Sequence, residues 1–258
     1  MARIAVGLEY DGSAYYGWQR QSNAPSVQGE FERALSVVAD HAVRLTAAGR
    51  TDAGVHALMQ VAHFDTTSVR SEQAWVLGGS AAAAEDLSVL WAREVPGDFH
   101  ARFSALSRTY RYRVLNRRIR PALERQRSCW IRRPVDAAAM HEAAQFLLGE
   151  HDFSAFRSAH CESSTPVRRI TAVAVRRDAM RVEIEVRANA FLHHMVRNIA
   201  GTLLAVGVGD RPVAWVAEVL AGRDRTVAGP TAVARGLYFA GVDYDARYGL
   251  PSAPASFR

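Results

Sequence analysis

The chain has 258 residues, 49% of them hydrophobic, with a net charge of +6. That apolar share supports a packed core and excludes a disordered chain, and two cysteines, Cys129 and Cys161, are too few for a disulfide framework and lack metal-ligand spacing. No apolar run approaches the ~20 residues of a membrane helix, and the N-terminus enters an alternating stretch without a cleavable signal, so a cytoplasmic protein with no membrane association is expected.

In chain order, alternation of Ile4, Val6 and Leu8 predicts a first strand. Asp11 to Gln21 carries Tyr15, Tyr16 and Trp18 with Gly12 and Gly17, which suits either a packed aromatic turn or a loop lying against a ligand. Ser26 stands as a helix N-cap ahead of Phe31, Ala34, Leu35 and Val38. The run Ala48-Gly49-Arg50-Thr51-Asp52-Ala53-Gly54-Val55-His56-Ala57 follows. It sets one carboxylate between two glycines, beside an arginine whose forked donor suits phosphate or carboxylate. In isolation this is either a turn with an Asp cap or the presentation of a nucleophile.

Every basic residue of the chain is an arginine, and ten of them lie between Arg108 and Arg133 against one acid, Glu124. Tyr110, Tyr112 and Trp130 are interleaved, and the alternation of Tyr110, Tyr112 and Val114 with Arg111 and Arg113 predicts a strand. Such a stretch is the footprint of a nucleic acid partner or a solvated basic face. Helical spacing runs from Asp136 through Met140, Ala143, Ala144 and Leu147 to a stop at Gly149, and from Phe191 through Met195, Ile199 and Leu203. Between them Val182, Ile184 and Val186 alternate as a strand. A short helix opens at Pro212, carries Trp215, Val216 and Val219, and ends at Gly222. Strands and helices mix without regular alternation, which predicts an α+β fold with a largely antiparallel sheet. The join falls near Phe103 to Ser107, giving halves 1–104 and 105–258.

Five segments carry a resemblance in fixed order. They are Tyr10-Asp11-Gly12 with Tyr15 to Gln21, the Ala48 to Ala57 run, Phe99 to Ser104 leading into Arg108 to Tyr112, Asn189 to Asn198, and Asp243 to Pro251. Spanning nearly the whole chain, they resemble the tRNA pseudouridine synthase A family. The resemblance implies two ferredoxin-like halves sharing one sheet with a central catalytic cleft, a homodimer, and isomerisation of uridines at tRNA positions 38, 39 and 40 in the anticodon arm, with no cofactor or metal. It matches Asp52 to the family nucleophile, whether by attack at C1′, attack at C6 or assisted elimination. Tyr110 matches the tyrosine that stacks on the target uracil and is a candidate for C5 deprotonation, and Arg197 the arginine that pairs with the aspartate. Arg20, Arg50, Thr51, His56, Arg108, His194 and Asn198 are expected to bind substrate, while Tyr112 is expected in the core. His193 and His194 either contact RNA phosphate or pack.

One segment departs from the family. Leu77 to Asp86 carries small residues where an asparagine-rich stretch ending in Leu-Pro is usual, so side-chain hydrogen bonds and a rigid turn are expected to be missing. This supports an alternative, a catalytically weak RNA-binding or RNA-chaperone protein on the same fold. A hydrolase or phosphotransferase would need a glycine-rich loop ending in Lys-Ser/Thr, or a second carboxylate near Asp52. The chain has no lysine, and the nearest downstream acid is Asp65. No metal site is expected from His56, His63, His193 and His194, because the first pair lacks ligand spacing and neighbours on a helix point about 100° apart.

Overall fold

A computed structural model describes Met1–Pro251. The elements in chain order are β1 (Ala2–Tyr10), α1 (Val27–Ala39), β2 (Thr46–Ala47), β3 (His56–Thr66), α2 (Glu72–Ala82), β4 (Leu87–Val95), β5 (Ala105–Asn116), β6 (Cys129–Ile131), α3 (Ala137–Gln145), β7 (Gly149–Asp152), β8 (Val167–Asp178), β9 (Arg181–Ala188), α4 (Met195–Gly207), α5 (Trp215–Gly222) and β10 (Leu237–Tyr244). The fold is α+β with mostly antiparallel strand pairing, as the sequence pattern expects. Two compact units form, one of Met1–Arg108 with Tyr238–Arg258 and the other of Thr109–Leu237.

In the first unit the strand order is β4-β1-β3-β10, with β2 also on β3. β1 runs antiparallel to both neighbours, Val6 facing Ala62 on β3 and Ala92 on β4. β10 runs parallel to β3, Tyr238 opposite His56. The described chain from Tyr238 on, which the sequence reading places in the second half, therefore belongs to the first unit. Ser26 caps α1 by accepting from the Gly29 amide, a contact worth about 1 kcal/mol. Phe31, Leu35, Phe64 and Trp75 are fully buried here, with Trp75 edge-on to Phe64.

Leu77 to Ala82 is the second half of α2, not an irregular loop. Its small residues are there because α1 and β4 approach closely: a Cβ on Gly79 would lie 3.0 Å from Val89 and 3.1 Å from Leu35. Ser80 Oγ accepts the Val89 amide at 3.0 Å. Hydrogen bonds expected to be missing from this segment are thus supplied by Ser80 and, as shown below, by Asp86.

The second unit is ordered β5-β9-β8-β7, with β6 parallel on β5. Asp136 caps α3 through the Ala138 and Ala139 amides, and the helix ends at Gln145, short of the expected Leu147. The Leu147 and Leu148 amides instead make tight turns to Ala144 and Gln145, and Gly149 takes φ +100° to open β7. α4 begins at Met195, not Phe191. Asn189 Oδ1 accepts the Ala190 and Arg169 amides, and His194 sits in the left-handed region at φ 62°, which stops helix propagation. α5 likewise begins at Trp215, whose amide reaches Pro212 O in a preceding turn.

His63 is a buried polar residue of the first unit. Its Nδ1 accepts the Ala101 amide at 3.2 Å, which fixes the neutral ring. Burial, followed by the nearby Arg3 and His100, pulls its pKa down from 6.5 to about 4, against a weaker opposing effect of Asp65. Between those two values the unfolded chain binds the extra proton, so protonation favours unfolding. Stability measured by urea titration should fall as pH drops from about 6.5 to about 4, and His63→Gln should flatten that part of the profile. An unaltered slope in the variant would assign the acid sensitivity elsewhere.

Candidate active-site residues in the two units

Asp52 lies in the turn that feeds β3. The Val55 amide closes the turn on Asp52 O at 3.1 Å, and Gly54 adopts φ +75°. The carboxylate residue is half-buried, Thr51 before it is buried, and Arg50 is exposed. Loop Tyr10 to Trp18 grips the turn through the backbone, with the Trp18 amide donating to Thr51 O at 2.9 Å and the Gly54 amide to Tyr15 O at 3.3 Å. Gly17, at φ +96°, permits this approach: a Cβ there would stand 2.7 Å from Thr51 O. Thr51 Oγ1 shares a 2.8 Å hydrogen bond with Tyr10 Oη, and Gln60 donates to Gly49 O at 2.7 Å. Gly49, Thr51, Gly54 and the Asp52 carbonyl are thereby tied down.

His56 is 2% exposed and stacks on Tyr238 with centroids 4.7 Å apart. Its Nδ1 lies 3.1 Å from both the Gly12 amide and Asp11 Oδ1. Without a proton this nitrogen accepts from Gly12, and with one it donates to Asp11. His56, with Ser13 donating as well, holds the Asp11 carboxyl well below the usual carboxylate range. His56 and Thr51, expected to bind substrate, are thus both buried and bonded to the loop that grips the turn. Arg20 is exposed at the end of the gripping loop, 3.5 Å from the buried Glu32. Arg108 is half-buried and donates to Ala48 O and Arg102 O, bracing the start of the Asp52 run.

Asp86 was not singled out by its sequence context. Its carbonyl accepts the Asp11 amide at 2.9 Å, and its Oδ1 accepts Tyr15 Oη at 2.7 Å. Burial and the adjacent Asp86 carboxylate push the Tyr15 phenol pKa up, which keeps it protonated as the donor. Asp86 thus anchors the loop that grips the Asp52 turn.

In the second unit Tyr110 is half-buried on β5 and meets Phe191 edge-to-face at 4.9 Å. Tyr112, two residues on, is fully buried with its hydroxyl donating to Val233 O, so the core expectation holds for it. Met195, Ile199 and Leu203 are buried as their spacing predicts, but so are Asn198, Gly201 and Thr202, and α4 is enclosed on most of its circumference. Arg197 is one of its half-buried positions. Its Nε donates to Ala232 O at 2.8 Å and its carbonyl accepts the Ala232 amide at 3.1 Å. Close approach of that segment depends on Gly201, where a Cβ would fall 1.7 Å from Pro230 O.

Asn198, expected at the substrate, is fully buried. It donates to Phe156 O at 2.8 Å, and its Oδ1 accepts from Thr231 and Arg225. Such a saturated amide is a strut between α4 and the chain that flanks it. His194 caps the helix backbone without a side-chain cap bond, its ring 4.0 Å from that of His193.

The arginine run is only partly available to a polyanion. Arg111 is buried and pairs with Glu185 at 2.7 Å, Arg113 reaches Glu183 at 3.5 Å, and Arg133 pairs with Asp210 at 2.9 Å. The neutralising acids of the first two come from β9, far along the chain. Arg118, Arg120, Arg125 and Arg132 remain exposed.

Comparison with known proteins decides the family. Residues 8–104 and 143–245 match the family described as tRNA pseudouridine synthase. The chain belongs to the tRNA pseudouridine synthase family. It is similar to the tRNA pseudouridine synthase A of Xylella fastidiosa strain M23, 57% identical over 252 residues that cover 97% of this chain and 98% of that one. The Methylococcus capsulatus (Bath) protein of the same name is 56% identical over 248 residues, covering 96% of this chain and 92% of its own. The one from Coxiella burnetii Dugway is 54% identical over 254 residues, covering 98% and 97%. Membership makes this chain an enzyme of the isomerase class. Asp52 and Arg197 lie inside the matched spans, and Tyr110 in the stretch between them. No helix among the described residues is long and apolar enough to cross a membrane.

Removing one end of the Asp86–Tyr15 bond should cost about 1 kcal/mol of loop order, roughly a five-fold loss of turnover. We expect this loss in Asp86→Ala and Tyr15→Phe, with Asp86→Asn, which keeps an acceptor oxygen, close to wild type. Steady-state pseudouridine formation checks it, and full turnover by Asp86→Ala would remove Asp86 from the support of the turn.

Proposed function

We propose that the enzyme isomerises uridines 38, 39 and 40 of the tRNA anticodon stem-loop to pseudouridine, with Asp52 as nucleophile. The observation that carries this reading is the Asp52 turn, a partly exposed carboxylate whose flanking backbone is held rigid by hydrogen bonds. A group that attacks or assists at one carbon must be placed to within a fraction of an ångström, and such bracing supplies that placement.

The reaction breaks the N1–C1′ bond of the uridine, turns the uracil, and joins C5 to C1′, with loss of the C5 proton. No electrons leave the substrate, and the reading calls on no cofactor or metal. Asp52 supplies the anionic group, and Tyr110 an aromatic surface for the detached base. An ionised aspartate in a dry site needs a compensating cation, and Arg197 takes that part in this reading. Arg20, Arg50, Arg108 and His194 are assigned to RNA contact, and Thr51, His56 and Asn198 to holding those groups in place.

A uridine stacked in the anticodon arm must leave the stack, at a cost of a few kcal/mol that arginine–phosphate contacts offset. Recognition of this kind reads shape and backbone more than base edges. A homodimer in the cytoplasm completes the reading by family resemblance. The alternative of a catalytically weak RNA-binding protein rests on Leu77 to Asp86, where the chain forms the end of α2 and Asp86 bonds Tyr15.

Tritium release from tRNA labelled at uridine C5 tests the assignment. Wild type should release tritium with EDTA present, and Asp52→Ala should release none while still binding tRNA. A tenth of wild-type release by that variant would end the nucleophile assignment. Arg197→Met should likewise abolish release, by leaving Asp52 without its proposed partner. Affinity for tRNA should also fall steeply with added salt, since arginine contacts release condensed counterions, and a flat response would count against arginine–phosphate docking.

A further inference from the structure

The second unit holds a basic recess that no role above has absorbed. It has a volume of about 520 Å³ and is lined by Arg157, Arg223 and Arg225 with Ser154, Ser158, Thr226, Ala159 and one acid, Asp224. Three arginines against one carboxylate thus line one depression.

Two of these arginines are positioned by neutral groups alone. Arg157 donates to Cys161 O at 2.6 Å and Ser163 O at 2.9 Å. Arg225 donates to Gly229 O at 3.0 Å, Thr231 Oγ1 at 3.0 Å and Asn198 Oδ1 at 3.1 Å. Carbonyl, hydroxyl and amide oxygens fix their direction but do not themselves cancel the positive charge. Two carboxylates offset part of that charge. Asp224 accepts the Thr226 amide and hydroxyl, both at 2.8 Å, and Asp152 accepts the Ser154 amide at 2.9 Å and hydroxyl at 2.6 Å. Asp152 also stands 3.5 Å from Arg223, whose side chain is 67% exposed. Preset cations in excess of the nearby carboxylates are complementary to a tetrahedral oxyanion.

From this arrangement we infer that the recess is a docking subsite for a backbone phosphodiester of the RNA substrate. The inference rests on the tRNA reading above and deepens it. The subsite is joined to the helix that carries Arg197, because Arg225 and Thr231 both bond Asn198, the next residue of α4. Phosphate binding therefore bears on the same strut that seats α4. Arg223 supplies an exposed, movable cation at the rim, and Arg157 and Arg225 the fixed floor.

The test is tRNA affinity as a function of potassium chloride for wild type, Arg157→Gln and Arg223→Gln, with thermal melts to confirm folding. Each variant should bind several-fold more weakly and lower the slope of log K against log salt by about 1. Arg181→Gln, whose guanidinium is already paired with Glu124 at 2.8 Å, serves as the control and should leave the slope unaltered. Wild-type slopes in both recess variants overturn the subsite. If Arg157→Gln melts early, Arg223→Gln decides, since its exposed side chain is not part of the core.

A second arm adds inorganic phosphate at constant ionic strength. RNA docking predicts weak competition that disappears in Arg223→Gln. Tight phosphate binding without effect on tRNA affinity would make the recess a small-anion site and overturn the RNA assignment. Failure of the broader reading looks different, because wild type would then show neither tritium release nor steep salt dependence.

Discussion

The structure around Asp52 depends on backbone meeting backbone. Gly17 lets the Tyr10 to Trp18 loop reach the carbonyl of Thr51, with hydrogen bonds from Trp18 and Gly54 on either side of Asp52. A side chain at position 17 would push the two segments apart and would be strained at φ +96°. Because the contacts are main-chain, they hold the turn whatever the neighbouring side chains do. Asp86 and His56 extend the same logic outward, each fixing the gripping loop rather than the carboxylate itself.

The second unit solves the same problem for a cation. Gly201 brings Pro230 against α4, and Arg197 and Ala232 then exchange hydrogen bonds in both directions. Thr202 adds a hydroxyl that donates to Asn198 O and accepts the Gly229 amide. Buried polar groups are costly when unpaired and ordering when paired, so this network specifies one seat for the segment. An arginine on a partly exposed helix face is usually mobile. Here its Nε is committed to a carbonyl, and the orientation of the guanidinium follows.

How much of this was legible in the sequence varied with the range of the interaction. Period-two alternation located β1, β5 and β9, and the capping residues Ser26 and Asp136 located two helix starts, because those signals are local. The start of α4 was misplaced, since apolar spacing continues back to Phe191 while the chain is turned aside by Asn189 and the left-handed His194. Local signals also missed the return of β10 to the first unit, the anchoring role of Asp86 and the structural burial of His56 and Asn198. Each of these depends on a partner at least 40 residues away in the chain for its meaning. Motif order pointed to the family, but spacing alone does not distinguish a polar residue that faces substrate from one that braces the residue which does.

The same separation governs the charge. A count of arginines between Arg108 and Arg133 overstates what an RNA meets, because sheet pairing brings Glu183 and Glu185 alongside Arg111 and Arg113. Paired in a partly buried face, these cations stabilise the sheet and contribute little long-range field. The cations that remain for a polyanion are those held by neutral oxygens or left in solvent, and besides Arg118, Arg120, Arg125 and Arg132 of the run they include some that lie outside it. Arg157, Arg223 and Arg225 are scattered in sequence, yet the fold gathers them around one recess and gives two of them no carboxylate. Local neutralisation by the fold, more than the net charge of +6, decides where phosphate is favoured on this chain.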